Sequence, residues 1–232
     1  QHLFTKFPAV ALLGPRQSGK TTLSQLAFPD LPYINFEKIT DRNFAMEDPT
    51  GFLNQYPNGA ILDEIQYVPD LLSYLQLRID EKNTPGLYII TGSQNLFLNQ
   101  KITQTLAGRI AITTLLPLSY QELQPDSDWK KTIYKGFYPR VYNSAIDPVD
   151  FYPNYIQTYI EKDVRQIKSI MNLSLFQTFL GLCAGRIGQI LNLHSLANDC
   201  GISNSTAREW MSILEMSYIV YLLKPHFNNF NK

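Results

Sequence analysis

Along the first 118 residues, short apolar blocks alternate with stretches in which apolar side chains return at helical spacing. A parallel sheet with crossover helices reads this way, because its central strands are covered on both faces. The blocks predict strands near Pro8–Leu13, Tyr33–Phe36, Ala60–Asp63, Leu87–Thr91 and Ile110–Leu115. Helices fill the intervals. Lys20–Phe28 stops ahead of Pro29, Asp70–Ile79 carries Leu71, Leu72, Leu75 and Ile79 on one stripe, and Asn95–Leu106 ends before Gly108.

Past Pro117 the period becomes helical. Ser119 and Glu122 make a Ser-x-x-Glu capping box at the start of a short helix. A polar, turn-rich segment from Pro125 to Lys131 leads to Gly136-Phe137-Tyr138-Pro139, and Phe151–Ile167 spaces Tyr155, Ile156, Tyr159, Ile160 and Val164 as a helix core would. From Phe176 onward two or three more helices are expected. Leu196 to Ser203 suits two helices joined by a tight turn at Gly201, with Ser203 capping the second, on which Trp210, Ile213 and Leu214 face the core. Ile219–Leu223 and Pro225–Asn231 would then form a wing hairpin. The division this predicts is a sheet-based core over 1–118, a helical lid-like segment over 119–170 and a winged-helix-like domain over 171–232.

Composition narrows the picture without redirecting it. With 44% hydrophobic and 12% aromatic residues the chain can bury a sizeable core. Twenty basic residues balance twenty acidic ones, so net charge gives no reason to expect nucleic acid or a membrane surface as the main partner. No apolar run approaches the ~20 residues of a membrane helix. Cys183 and Cys200 are too few for a disulfide framework and lack metal-ligand spacing, which fits a reducing cytoplasm. The chain starts at Gln1 without Met and stops amid Asn228–Lys232, as part of a longer protein would.

Chemistry enters with Gly14-Pro15-Arg16-Gln17-Ser18-Gly19-Lys20-Thr21, a full P-loop match set between an apolar strand and a helix. Gly14 and Gly19 let the backbone curl so that successive N–H groups point at phosphate oxygens, at the positive end of the next helix. Lys20 supplies a mobile charge for the β- and γ-phosphates, and the Thr21 hydroxyl is a ligand for Mg²⁺. ATP with Mg²⁺ is therefore the expected ligand. Downstream, Ile61-Leu62-Asp63-Glu64 ends an apolar strand in two carboxylates. Asp63 would hold the Mg²⁺ shell and Glu64 would polarise the attacking water, with Gln66 beside them in a structural role.

Strand Leu87–Thr91 ends in Thr91-Gly92-Ser93-Gln94, and ligands in parallel sheets lie at such carboxyl ends. Ser93 or Gln94 could reach the γ-phosphate or the water, or simply cap a helix. Arg109, just ahead of the last strand, reads either as an arginine finger for a neighbouring subunit, which implies a homo-oligomer, or as a surface salt bridge. Between Asn192 and Lys232, Arg208, Lys224 and Lys232 face Asp199, Glu209 and Glu215. That balance is thin for phosphate binding, so the winged helix serves packing at least as readily as DNA.

These segments resemble a family. Gly-Pro-Arg-Gln-Ser-Gly-Lys-Thr-Thr (14–22), Leu-Asp-Glu-Ile-Gln (62–66), Thr-Gly-Ser-Gln-Asn (91–95) and Leu-Ala-Gly-Arg (106–109) look like the uncharacterised bacterial and archaeal AAA-type P-loop ATPases. Pro-Leu-Ser (117–119), Gly-Phe-Tyr-Pro (136–139), Glu-Lys-Asp-Val-Arg (161–165) and Gly-Ile-Ser (201–203) extend the likeness over nearly the whole chain. The resemblance implies a five-strand AAA+-like α/β core, a helical segment and a winged helix, with a further nuclease-like domain normally following. It also implies that the nucleotide residues are Gly14 to Thr22, Asp63 and Glu64, and that Arg109 is the arginine before the last core strand. Phe137 stands where relatives often carry a second glycine, which speaks against close backbone approach there and leaves Tyr138 and Pro139 as adenine-side contacts. The function so implied is an ATPase acting as a switch or motor, with an ATP-gated DNA-binding regulator as the alternative. A P-loop kinase fits less well, because a water-activating carboxylate favours hydrolysis and no arginine-rich lid is evident.

Overall fold

The computed structural model describes residues 1–93, 96–123, 128–160 and 172–224, and for 93, 96–100, 159 and 160 the backbone alone. Its contacts divide the chain into two compact units, Gln1–Pro153 and Asn154–Lys232.

The first unit is built on five parallel strands, β1 (Ala9–Gly14), β2 (Tyr33–Asn35), β3 (Ala60–Asp63), β4 (Tyr88–Ser93) and β5 (Ile110–Thr114), in the order β2-β3-β4-β1-β5. Every residue of β1 and β3 is buried, which is why these strands read as apolar runs instead of alternating. Successive side chains serve opposite faces. Ala9, Ala11, Leu13, Leu62 and Ile90 join the larger core, whereas Val10, Ile61, Ile89 and Ala111 form a second cluster with Phe4, Phe7, Phe28 and Leu31.

The helices that cover the sheet are α1 (Lys20–Ala27), α2 (Ile39–Glu47), α3 (Pro49–Asn54), α4 (Leu71–Lys82) and α5 (Leu96–Thr105), and a 3₁₀ turn at Ile65–Tyr67 follows β3. Neither α2 nor α3 is visible as a pattern. Met46 and Ile39 of α2 are exposed while Ala45 is buried, so no apolar stripe forms, and α3 rests on Pro49 at its first turn and the Asp48 side chain accepting from Gly51 N–H at 2.8 Å.

Beyond residue 118 this unit continues through α6 (Tyr120–Leu123), α7 (Trp129–Lys135) and α8 (Pro139–Asn143) into α9 (Pro148–Tyr155), within which the division falls after Pro153. The capping box closes as its sequence requires. Ser119 N–H donates to Glu122 Oε2 at 2.7 Å, and Glu122 N–H donates to Ser119 Oγ at 3.2 Å. The helix expected over Phe151–Ile167 starts earlier, holds Pro153 inside α9, and changes to a π-helical turn over Ile156–Ile160. Its remainder lies outside the described residues.

In the second unit, α10 (Leu173–Ala184), α11 (Leu193–Cys200) and α12 (Asn204–Met216) pack around Trp210. Phe176 and Phe179 meet that indole edge-on, with ring centroids 5.3 and 5.4 Å away. Asn172, Asn192 and Ser203 cap the three helices, and Gly201 takes φ 72° in the turn between α11 and α12. Residues 218–224 contain no strand, so the first arm expected of a wing is absent there; the second arm falls outside the described residues. Instead the backbone N–H groups of Ile219 and Val220 donate to the Leu214 carbonyl at the end of α12, at 2.9 and 3.3 Å. No helix among the described residues is long and apolar enough to cross a membrane.

Candidate nucleotide site

The candidate residues gather where β1, β3 and β4 end. Gly14 takes φ 152° and passes so close to β5's exit that a Cβ there would sit 2.2 Å from the Leu115 carbonyl oxygen. Gln17 at φ 60° and Gly19 at φ 97° complete the curl. A left-handed glutamine costs conformational energy that the loop holds in place. Gly19 then starts α1 with no side-chain cap, so the helix's first amides face the loop. Ser18 is buried, and its hydroxyl has no hydrogen-bond partner among the described residues.

Lys20 is 5% exposed, and its ammonium donates to the carbonyls of Gly14 at 3.1 Å and Pro15 at 2.7 Å. Burial pulls its pKa below the ordinary lysine value, while Glu64 and Asp63 pull it back up and Arg16 lowers it. A charge held by loop carbonyls and two acidic neighbours is ready to exchange those partners for phosphate oxygens.

Asp63 is the most densely hydrogen-bonded group in the site. It is 1% exposed, and three hydroxyls converge on it. Thr21 Oγ1 donates to Oδ2 at 2.9 Å, Tyr33 OH donates to Oδ2 at 2.6 Å, and Thr91 Oγ1 donates to Oδ1. The sheet explains the meeting. Leu62 pairs with Ile90 and Asn35 with Asp63, so the next residue of β4 and the aromatic ring of β2 both border the carboxylate. Burial first, and the Asp63 hydrogen bond second, push the Tyr33 hydroxyl well above its usual pKa.

Glu64 adopts φ 58°, ψ 46° between β3 and the 3₁₀ turn. Its backbone N–H reaches Thr91 Oγ1 at 3.4 Å, and Gln66 Nε2 donates to its carboxylate. Gln66 therefore orients Glu64 as well as serving the turn. A left-handed, non-glycine residue fixed from both ends is strained in the way functional sites often are.

A cleft of about 430 Å³ opens over these groups, lined by Gln17, Gly19, Lys20, Thr21, Thr22 and Glu64 on one side. Its other wall is α8 and the residue after it, through Pro139, Arg140, Asn143 and Ser144. Of the two expected adenine-side contacts, Pro139 lines this cleft. Tyr138 does not; its ring packs on Phe151 and Tyr152 at centroid distances of 5.7 and 6.2 Å. Ser93 pairs with Gly14 through its backbone, and Gln94 lies outside the described residues.

Arg109 is elsewhere. It precedes Ile110, which pairs with Ala9 at the start of β1, so it sits at the edge of the sheet opposite the loop. With about 3.3 Å per residue, the length of β1 separates the two. There the Arg109 guanidinium grips Asp80 of α4 with Nε and, at 2.9 Å, with Nη2, and that hydrogen bond holds the Asp80 carboxyl below its ordinary pKa. The salt-bridge reading is the one this geometry displays; Arg109 cannot reach the cleft of its own chain.

The donor set fits the expected ligands. An uncapped helix start, an orphaned buried hydroxyl and a glycine pressed on a neighbouring carbonyl make a cradle for phosphate. No cluster of three His, Cys, Asp or Glu side chains suited to a metal occurs among the described residues. The hard oxygens of Thr21 and Asp63 are what Mg²⁺ accepts when phosphates and water complete its shell.

Residues 126–232 match a domain of unknown function. An uncharacterised protein of Mycobacterium tuberculosis is 28% identical over 227 residues, which cover 97% of this chain and 52% of that protein. One from Methanocaldococcus jannaschii is 23% identical over 258 residues, covering 95% and 56%. The chain thus spans about half the length of the curated relatives it matches. A solved signal transduction ATPase with numerous domains, a STAND protein with a tetratricopeptide repeat sensor from Pyrococcus horikoshii, is 14% identical at a TM-score of 0.32, covering 91% of this chain and 37% of that one. Residues 6–124, which hold the loop, the sheet and both carboxylates, match the AAA domain, and the chain belongs to that family of P-loop ATPases.

Proposed function

We propose that the cleft binds ATP with Mg²⁺ and hydrolyses it. The observation that carries the reading is the Thr21–Asp63 hydrogen bond of 2.9 Å beneath the buried Lys20, with Glu64 next in sequence and open to the same cleft. In this reading Lys20 leaves the Gly14 and Pro15 carbonyls for the β- and γ-phosphates. Thr21 and Asp63 would hold the metal through their oxygens, while Tyr33 and Thr91 keep the Asp63 carboxylate in place. Bound Mg²⁺ would neutralise charge on the phosphates. Glu64, steadied by Gln66, accepts a proton from the water whose oxygen attacks the terminal phosphorus as the bridging P–O bond breaks. Coupled to this, nucleotide state would switch the arrangement of the core and the C-terminal helical unit.

Equilibrium titration with Mg·ATP tests the binding half. Wild-type protein should bind, and Lys20→Ala should lose affinity by ~10-fold or more, as expected when a charge-assisted contact is removed. Equal affinity in the two proteins would reject the assignment.

A further inference from the structure

The three hydroxyls on Asp63 do not act alike. Thr91 donates to Oδ1 and itself accepts the Glu64 N–H at 3.4 Å, whereas Thr21 and Tyr33 share Oδ2 at 2.9 and 2.6 Å. Thr21 sits in the first turn of α1 and is the hydroxyl a metal would claim, while Tyr33 opens β2 and belongs to no motif in the sequence. Resting on the nucleotide reading above, we propose that Tyr33 sets which divalent cation the site accepts with nucleotide. It does so by restricting Asp63 to one free direction on Oδ2, which suits the small octahedral shell of Mg²⁺ and not the larger shell of Ca²⁺.

A carboxylate offers about four lone-pair directions, shared between its two oxygens. Thr91 takes one on Oδ1, and Thr21 and Tyr33 together take those on Oδ2. When Thr21 turns to the ion, one direction on Oδ2 opens beside the hydroxyl that has just left it. Tyr33 keeps the other, because a phenol carries its proton at neutral pH and donates. Held at both oxygens, the carboxylate can neither rotate nor offer its two oxygens to one ion. Mg²⁺ tolerates this, since it demands octahedral geometry and keeps several of its waters. Ca²⁺ is served worse, because it takes more ligands in a looser arrangement and often binds a carboxylate through both oxygens. The sheet makes the restraint stiff. Tyr33 pairs with Ile61, two residues before Asp63, so its ring spans a rise of about 6.6 Å along the strands to meet the carboxylate. Ile34 is buried beside it, and the Phe36 N–H donates to the Asp63 carbonyl at 3.1 Å, which fixes β2 against β3.

The test follows binding of a fluorescent β,γ-imido analogue of ATP to the full chain while Mg²⁺ or Ca²⁺ is added until binding is half-maximal. Wild type should reach that midpoint at a lower concentration of Mg²⁺ than of Ca²⁺. Tyr33→Phe should raise the Mg²⁺ midpoint by about 10-fold, the low end for a lost hydrogen bond to a charged group, and leave the Ca²⁺ midpoint close to wild type. Affinity for the analogue without a divalent cation should be the same in the two proteins. A wild type indifferent to the cation, or a ratio of midpoints that Tyr33→Phe leaves unchanged, overturns the assignment. The second result includes a uniform weakening with both cations, which is what a purely structural hydroxyl would give. If wild type binds the analogue with neither cation, or Lys20→Ala binds it normally, the nucleotide reading itself fails and the Tyr33 assignment falls with it.

Discussion

Replacing Tyr33 by Phe deletes one of the three hydroxyls on Asp63 and changes little else, because the ring stays. The carboxylate is 1% exposed, so water has poor access to replace a missing donor, whereas Tyr33 itself is 36% exposed and its side of the pair is wetter. A hydrogen bond to a charged group is worth about 1.5–3 kcal/mol net, and partial exposure moves the expectation to the lower end, about 1–1.5 kcal/mol. For a chain of this size that corresponds to a fall in Tm of about 2–6 °C. Thr91 is fully buried, so Thr91→Val should cost more, about 2–3 kcal/mol, since the opposite oxygen is then left without its donor. The decisive assay is a double-mutant cycle by thermal or urea unfolding. With Asp63→Ala already present, Tyr33→Phe should cost close to nothing further. A loss of stability that is equally large in the presence and absence of Asp63 would refute the idea that Tyr33 acts through this carboxylate.

Two other outcomes follow from groups away from the cleft. Asp80 has its pKa lowered by the Arg109 hydrogen bond, so the pair's stabilisation is present above the ordinary carboxylate range and is lost as pH falls below that range through the lowered native value. The urea midpoint of Asp80→Asn should therefore lie slightly below wild type at pH 7, by an amount that shrinks in high salt, and converge with it near pH 2; nucleotide affinity of Arg109→Ala should equal wild type. Burial raises the Cys183 thiol to about 11, with Arg186 opposing, so its alkylation by iodoacetamide at pH 8 should be far slower than that of a free thiol and accelerate toward pH 11.

Much of the core was legible because its strands are covered on both faces. The five apolar blocks fall on the five strands within a residue or two at each end, and the Gly14–Thr21 spacing locates the loop without further help. What sequence could not show is proximity. Tyr33 and Thr91 read as ordinary ends of strands, and only the pairing of β2, β3 and β4 brings both hydroxyls onto Asp63. Thr91 did leave a trace, as a polar residue closing an apolar run. Arg140 left none, since a five-residue helix has too few turns for a period and its approach to the loop is a tertiary event. Arg109 adjoins a core strand in sequence, yet it enters that strand at the end away from the loop, where Asp80 holds it within its own chain. The wing hairpin is expected from the apolar Ile219–Leu223 run and the Pro225–Asn231 end, and residues 218–224 show the apolar content without strand geometry.

Hydrolysis itself is tested most directly by phosphate release from Mg·ATP, measured for wild type and Glu64→Gln at saturating nucleotide. The substitution keeps the size of the side chain and its contact with Gln66 while removing the base. Wild type should turn over, and Glu64→Gln should bind Mg·ATP with wild-type affinity yet release phosphate at least about 100-fold more slowly. Equal rates in the two proteins would contradict the account.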